Sequence, residues 1–182
     1  WVLDDLTVLH QLQPNNRNAQ TLLFKPKESY RTKGRGGKSS LTAGTNLPNG
    51  VIVHYFLKNY DAKKDTVELQ FQSNDGAVIK TYSTKDKKNK LEVKAGGNEF
   101  VWNTRYDGAE KLDGMIFWSA SFSGAKAVPG SYKVRLVVNG KEHMQDFTIL
   151  PDPRSESSVA DMQKQFFMQN TPNKTSTNDD TE

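Results

Sequence analysis

A period of two dominates the middle of the chain. Val51, Val53, Tyr55 and Leu57 take every second position, while Ile52, His54 and Phe56 fill the gaps. A run apolar on both faces predicts a central strand. Val67, Leu69 and Phe71 alternate with Glu68 and Gln70, the pattern of a strand with one wet face. Asn74-Asp75-Gly76 then turns the chain into Val78–Tyr82, a hairpin signal. Leu91 and Val93 make a short alternating pair. Gly96-Gly97 follows, and then Phe100 and Trp102 with a polar Glu99 before them. Met115–Trp118 reads as a short aromatic strand. Pro129-Gly130 leads into the longest alternation, with Tyr132, Val134, Leu136 and Val138 on one face and Lys133 and Arg135 opposite. Asn139-Gly140 is the strongest hairpin turn, since both residue types tolerate positive φ. Phe147 and Ile149 are then expected inward on the return strand.

These segments predict about seven or eight strands between Val51 and Leu150, with no helical period between them. Strands at that spacing, separated by glycine turns, define an all-β chain: an immunoglobulin-like antiparallel β-sandwich of the usual ~100 residues. The Cys…Trp…Cys signature of antibody domains is missing, so only the architecture is implied. Leu6, Leu9 and Leu12 precede Leu22-Leu23-Phe24, which reads as a connector over 1–21 and then one strand. Residues 25–50, rich in Gly, Lys, Ser and Pro, read as a long loop. The sandwich is expected over 22–154, with its core in 51–150. Beyond Pro151-Asp152-Pro153 the period changes. Val159, Met162 and Phe166 fall on one helical face, and Ser158 with Asp161 three residues on resembles a capping box, predicting a short helix within 155–169. The polar stretch 170–182 is expected to be a disordered tail.

Composition narrows the chemistry. The 182 residues are 35% hydrophobic, with nine Phe, six Tyr and three Trp, a polar chain that still holds enough aromatic bulk for one core. No apolar run approaches the ~18–20 residues of a membrane helix. Absence of cysteine removes disulfides, thiolate metal sites and cysteine nucleophiles together. The net charge of +4 is local: residues 25–38 carry +5 and residues 85–94 carry +3, with −2 in 171–182. Two basic loops with little aromatic interleaving argue against a nucleic-acid partner. Composition fits a cytoplasmic protein and a bacterial secreted one equally. Trp1-Val2-Leu3-Asp4-Asp5 resembles a strand met in mid-stride, as in a piece of something longer.

No catalytic motif emerges. Gly34-Arg35-Gly36-Gly37-Lys38-Ser39 lacks the first glycine of a phosphate loop, which would fall at Thr32, and no helical pattern follows it. A surface loop is the plainer reading, with an RGG-like segment as the functional one. His10, His54 and His143 are too far apart to suggest a metal site. Asp107, Glu110 and Asp113 share a turn-rich stretch where carboxylates are usually solvated. The chain is thus expected to be no enzyme and to need no cofactor or metal. Trp102 and Trp118 are large enough to stack on a sugar ring. Trp102 alternates with Phe100 and is expected in the core, whereas Trp118 fits core and surface equally. Exposure of Trp118 and Tyr106 as a flat platform would favour a carbohydrate-binding module, and their burial a structural one.

Two stretches carry a resemblance. Gly97-Asn98-Glu99-Phe100-Val101-Trp102-Asn103, followed by Ala127-Val128-Pro129-Gly130-Ser131-Tyr132-Lys133-Val134-Arg135-Leu136, resembles the immunoglobulin-like domain of the flagellar hook-capping protein and many secreted bacterial proteins. The wider order adds Trp1 to Thr7, Leu23 to Pro26, Gly44 to Val51, Trp102 to Ala109 and Asp152-Pro153-Arg154. Taken over roughly residues 1–168, it is similar to the C-terminal region of bacterial secreted proteins built on a sortilin-type (VPS10-like) β-propeller, often labelled BNR-repeat glycosyl hydrolases. The resemblance implies an extracytoplasmic, periplasmic or secreted, accessory domain. Its partner would be the upstream propeller, with carbohydrate as a further candidate ligand and self-association through exposed ends. The chain departs from the family in three ways. The propeller's Asp-box pattern is absent, Asn103 stands where the family usually has Asp, and the helix runs out near Met168 instead of continuing into a longer hairpin. No functional residue carries over from the family.

Overall fold

The computed structural model describes residues 5–32, 48–108, 123–155 and 157–170. A four-residue helix, α1 (Thr7–His10), precedes β1 (Thr21–Leu23) and β2 (Ser29–Arg31). Then come β3 (Val51–Leu57), β4 (Val67–Ser73), β5 (Val78–Ser83), β6 (Gly96–Trp102), β7 (Gly130–Val138) and β8 (Lys141–Pro151). The helix α2 (Val159–Asn170) ends the described chain. The strands form two sheets, one in the order β1-β3-β6 and the other in the order β2-β8-β7-β4-β5. Every pairing is antiparallel except β2 with β8. In the lettering of immunoglobulin domains, β1, β3 and β6 stand as A, B and E. The other sheet holds A′ (β2), G (β8), F (β7), C (β4) and C′ (β5). The chain is an all-β immunoglobulin-like sandwich with a short C-terminal helix.

Period two sets which residues meet between the sheets. In β3 the residues Val51, Val53, Tyr55 and Leu57 are buried, while Ile52, His54 and Phe56 lie half-buried on the outer face. Val67, Leu69 and Phe71 of β4 and Val134 and Leu136 of β7 face them from the second sheet, all fully buried. Trp102 at the end of β6 is wholly buried. Its indole stacks on Phe71 and meets Tyr132 and Phe147 edge-on. At ~25 cal/mol per Å² of apolar surface removed from water, these aromatics dominate the stabilising side of folding.

Polar groups in the core are mostly satisfied locally. The Tyr132 hydroxyl, four residues on, donates to the Val128 carbonyl at 2.6 Å, the tyrosine corner that pins the start of strand F in immunoglobulin folds. Asn98 closes a turn onto Lys94, accepting its N–H at 2.9 Å and donating to its carbonyl at 2.8 Å. Tyr55 differs: its hydroxyl is buried with no hydrogen-bond partner among the described residues. The β7–β8 hairpin turns at Asn139 (φ 49°) and Gly140 (φ 82°), the left-handed pair this turn type requires. The Asn139 side chain also accepts from Thr66 N–H at 2.9 Å and donates to Asp65 at 2.8 Å, tying the β3–β4 loop to the hairpin.

Several local expectations differ from the structure. The loop read over 25–50 contains β2, a three-residue edge strand. Leu91 and Val93 form no strand. Leu91 is a buried core residue on a coil whose N–H bonds to the Ser83 carbonyl at 2.9 Å. Gly96-Gly97 opens β6. Residues 1–4, the glycine-rich stretch 34–39, the Met115–Trp118 segment, Glu110, Asp113 and the 171–182 tail lie outside the described residues.

Candidate functional site

Of the two sequence-nominated aromatics, Trp118 lies outside the described residues and Tyr106 lies just after β6. The Tyr106 ring is half-buried, packed at the margin of the core. Its centroid is 4.9 Å from that of Phe166 on α2. Burial raises the Tyr106 phenol above its ordinary pKa. One side of the ring is therefore taken up by the helix.

The helix reaches this place because its N-terminus is capped. Ser158 N–H donates to the Asp161 carboxylate at 3.2 Å and Asp161 N–H donates to Ser158 Oγ at 3.1 Å, a reciprocal capping box. That register turns Met162 and Phe166 to the sandwich. Met162 is buried, and its sulfur accepts from Arg31 Nη1 at 3.4 Å. Val159, Phe167 and Met168 are exposed.

Beneath α2, three cations gather that periodicity and spacing had not brought together. Arg105 pairs with Lys126 in an antiparallel bridge between the two arms of the β6–β7 connection. Tyr106 N–H donates to Ala125 O at 3.0 Å and Ala127 N–H to Thr104 O at 2.6 Å, so the arms are held on both sides of the bridge. Arg31 arrives from β2, its Nε donating to Ala127 O at 3.0 Å. Lys126 Nζ donates to Thr32 O at 3.0 Å and Arg105 Nη1 to Gly124 O at 2.7 Å. Burial, then Arg105, then Arg31 push the Lys126 ammonium below its ordinary pKa. Residues 31, 105 and 126 meet only because β2 lies at the sheet edge beside the β6–β7 connection, which no local pattern encodes.

Other charged residues form surface ion pairs. Asp107 is held by Lys80 at 3.1 Å. The His54 imidazole lies 3.9 Å from Glu99 on the outer face of the smaller sheet. Among the described residues no group of three or more His, Cys, Asp or Glu side chains gathers as for a metal ion. No helix among them is long and apolar enough to cross a membrane.

A concavity of about 250 Å³ lies between the connector and the edge of the sandwich, lined by Gln11, Asn16, Leu22 and Met144 among others. Here the Gln11 amide imitates a strand partner. Its Oε1 accepts from Lys25 N–H at 2.7 Å and its Nε2 donates to Lys25 O at 3.0 Å. Asn16 in turn donates to Gln11 O at 3.0 Å, and Gln145 of β8 donates to Leu23 O at 3.2 Å. The concavity is the seam by which the connector is fastened to the fold.

The chain matches no protein-family model and no curated protein.

Proposed function

We propose that this chain is a non-catalytic immunoglobulin-like accessory module of a larger secreted bacterial protein, placed after a sortilin-like β-propeller and holding that body in a set pose. The observation that carries this reading is the doubly bonded Gln11–Lys25 seam. A connector free to swing would gain nothing from a side-chain amide committed to both backbone groups of one residue. A fixed one transmits the orientation of what precedes it. The covering of Tyr106 by Phe166 supports the structural role over a sugar platform at that position. The resemblance across residues 1–168 supplies the propeller as the preceding body and the extracytoplasmic compartment.

The test is made in the parent protein. Gln11→Ala is expected to raise proteolytic cleavage within residues 12–20 and to widen the distribution of distances between the two bodies in solution scattering. The melting temperature of the sandwich should stay unchanged. An unaltered pose would overturn the reading. So would retention on a neutral polysaccharide that Tyr106→Ala abolishes, which would instead support a carbohydrate-binding module.

A further inference from the structure

Arg31, Arg105 and Lys126 form a cluster of like charge that no acid among the described residues neutralises. Each is anchored to a backbone carbonyl, and a carbonyl fixes a cation without cancelling its charge. The acid nearest Arg105 in sequence, Asp107, is engaged by Lys80, and none of the ion pairs among the described residues involves the three cations. Donor capacity is left over: Arg31 Nη2, Arg105 Nε and Nη2, and two of the three ammonium hydrogens of Lys126 have no partner among the described residues. Burial first, and then the charges of Arg105 and Arg31, lower the basicity of Lys126.

The backbone beneath Arg105 is also under strain. Thr104 is a buried, β-branched residue at φ 59°, a conformation costly for such a side chain. Its carbonyl is engaged by Ala127 N–H, and the unusual φ sets the direction in which Arg105 departs. Strain and uncompensated charge at one place lower stability, and both are explained if the place has a ligand.

We propose that Arg31, Arg105 and Lys126 form a binding site for a tetrahedral oxyanion carrying two charges, a free sulfate or phosphate ion or the phosphate monoester of a larger ligand. Three donors approaching from separate chain segments suit the four oxygens of a tetrahedral group. A carboxylate would be met by the planar fork of one arginine. A dianion also offsets a cluster of three positive charges better than a monoanion does. The site is independent of the accessory-module reading, since it needs no upstream domain.

The experiment uses the full chain. Sodium sulfate and sodium phosphate are titrated at neutral pH against sodium chloride of matched ionic strength, following backbone amide resonances. Saturable shifts confined to residues around 31, 105 and 126 are expected for sulfate and phosphate, and none for chloride. Lys126→Met and Arg105→Gln should each weaken binding at least ~10-fold, the range of a charge-assisted contact. Lys126→Met should also melt in chloride at or above the wild-type temperature, because it relieves repulsion. A purely structural lysine would not behave in that way. Glucose 6-phosphate, a monoester that keeps two charges, separates the sources: binding at least ~10-fold tighter than inorganic phosphate assigns the site to an ester, and equal binding to the free ion. An unsaturable or delocalised response of the wild-type chain, or one that the variants share, would overturn the proposal. That wild-type titration decides the matter even if a variant does not fold.

Discussion

Trp102 and Phe71 stack with ring centroids 4.4 Å apart and planes 15° from parallel, although one belongs to the three-stranded sheet and the other to the five-stranded sheet. The pair joins the two layers at the centre of the sandwich. Tyr132 and Phe147 close around it from β7 and β8. Removing the indole would leave a cavity that neighbours on two rigid sheets could not fill.

Trp102→Ala is therefore expected to cost about 3–5 kcal/mol, a large share of a domain's ~5–15 kcal/mol. The variant should be insoluble or lack near-ultraviolet circular dichroism. A soluble variant melting near the wild-type temperature would contradict this account of the core.

Two buried tyrosines predict opposite outcomes for the same substitution. Tyr132→Phe deletes a hydroxyl bonded to Val128 O and strands that carbonyl, so it should destabilise by about 1–3 kcal/mol. Tyr55→Phe deletes a hydroxyl that has no partner among the described residues, so stability should hold or rise. Urea titration of both variants checks the contrast, and equal destabilisation would refute it.

Alkaline stability follows from the same residues. Burial pushes the Tyr55 phenol up to about 12 from its ordinary 10.0, and it raises Tyr132 and Tyr82 as well. The unfolded chain loses these protons first, so it binds fewer protons than the native state above the ordinary value. Stability is then fully present below pH 10 and falls as pH rises through the native values. In a Tyr30→Phe background, which removes the exposed tyrosine, most tyrosinate absorbance should appear together with alkaline unfolding, in one cooperative step. Tyrosinate forming well before the fold is lost would argue against the burial described.

The sandwich should fold without its flanks. Every member of the main core cluster lies between Leu23 and Ile149, and Met162 is the buried apolar residue contributed by α2. A chain of residues 13–155 should remain folded. Its melting temperature should fall by about 5–10 °C for the lost burial. Unfolding at room temperature would mean that α2 belongs to the core.

The lysines of 85–94 should bind no single-stranded DNA with submicromolar affinity at physiological salt. The nearest strand aromatic, Tyr82, turns its ring inward onto Phe71 and Phe100 and offers no stacking platform beside them. A steep salt dependence of tight binding would prove otherwise.

Strands that bury one full face were legible in the sequence, because burial writes itself as alternation: Tyr132 to Val138 and Val51 to Leu57 are the plain cases. The Asn139-Gly140 turn was legible because its backbone admits few residue types. β2 was not. Three residues, Ser29 to Arg31, on an edge and paired to a single neighbour carry no pattern to read. Leu91 misled in the other direction, since a lone core residue on a coil looks like one step of an alternation. The cation cluster was invisible for a different reason: its members are distant in sequence, and only the pairing of β2 with β8 and of Arg105 with Lys126 brings them together.

The parallel pairing of β2 with β8 has a mechanical consequence. Ser29, Tyr30 and Arg31 lie opposite Ile149, Leu150 and Pro151 with both strands running the same way. Tension applied along the chain draws β2 toward its beginning and β8 toward its end. In a parallel pair those directions oppose each other along the strand axes. The ladder is thus loaded in shear, all its bonds sharing the force, where an antiparallel pair held at the same two ends would unzip bond by bond. A tug from the C-terminal side meets this short clasp at once, and one from the N-terminal side meets it after β1 has parted from β3.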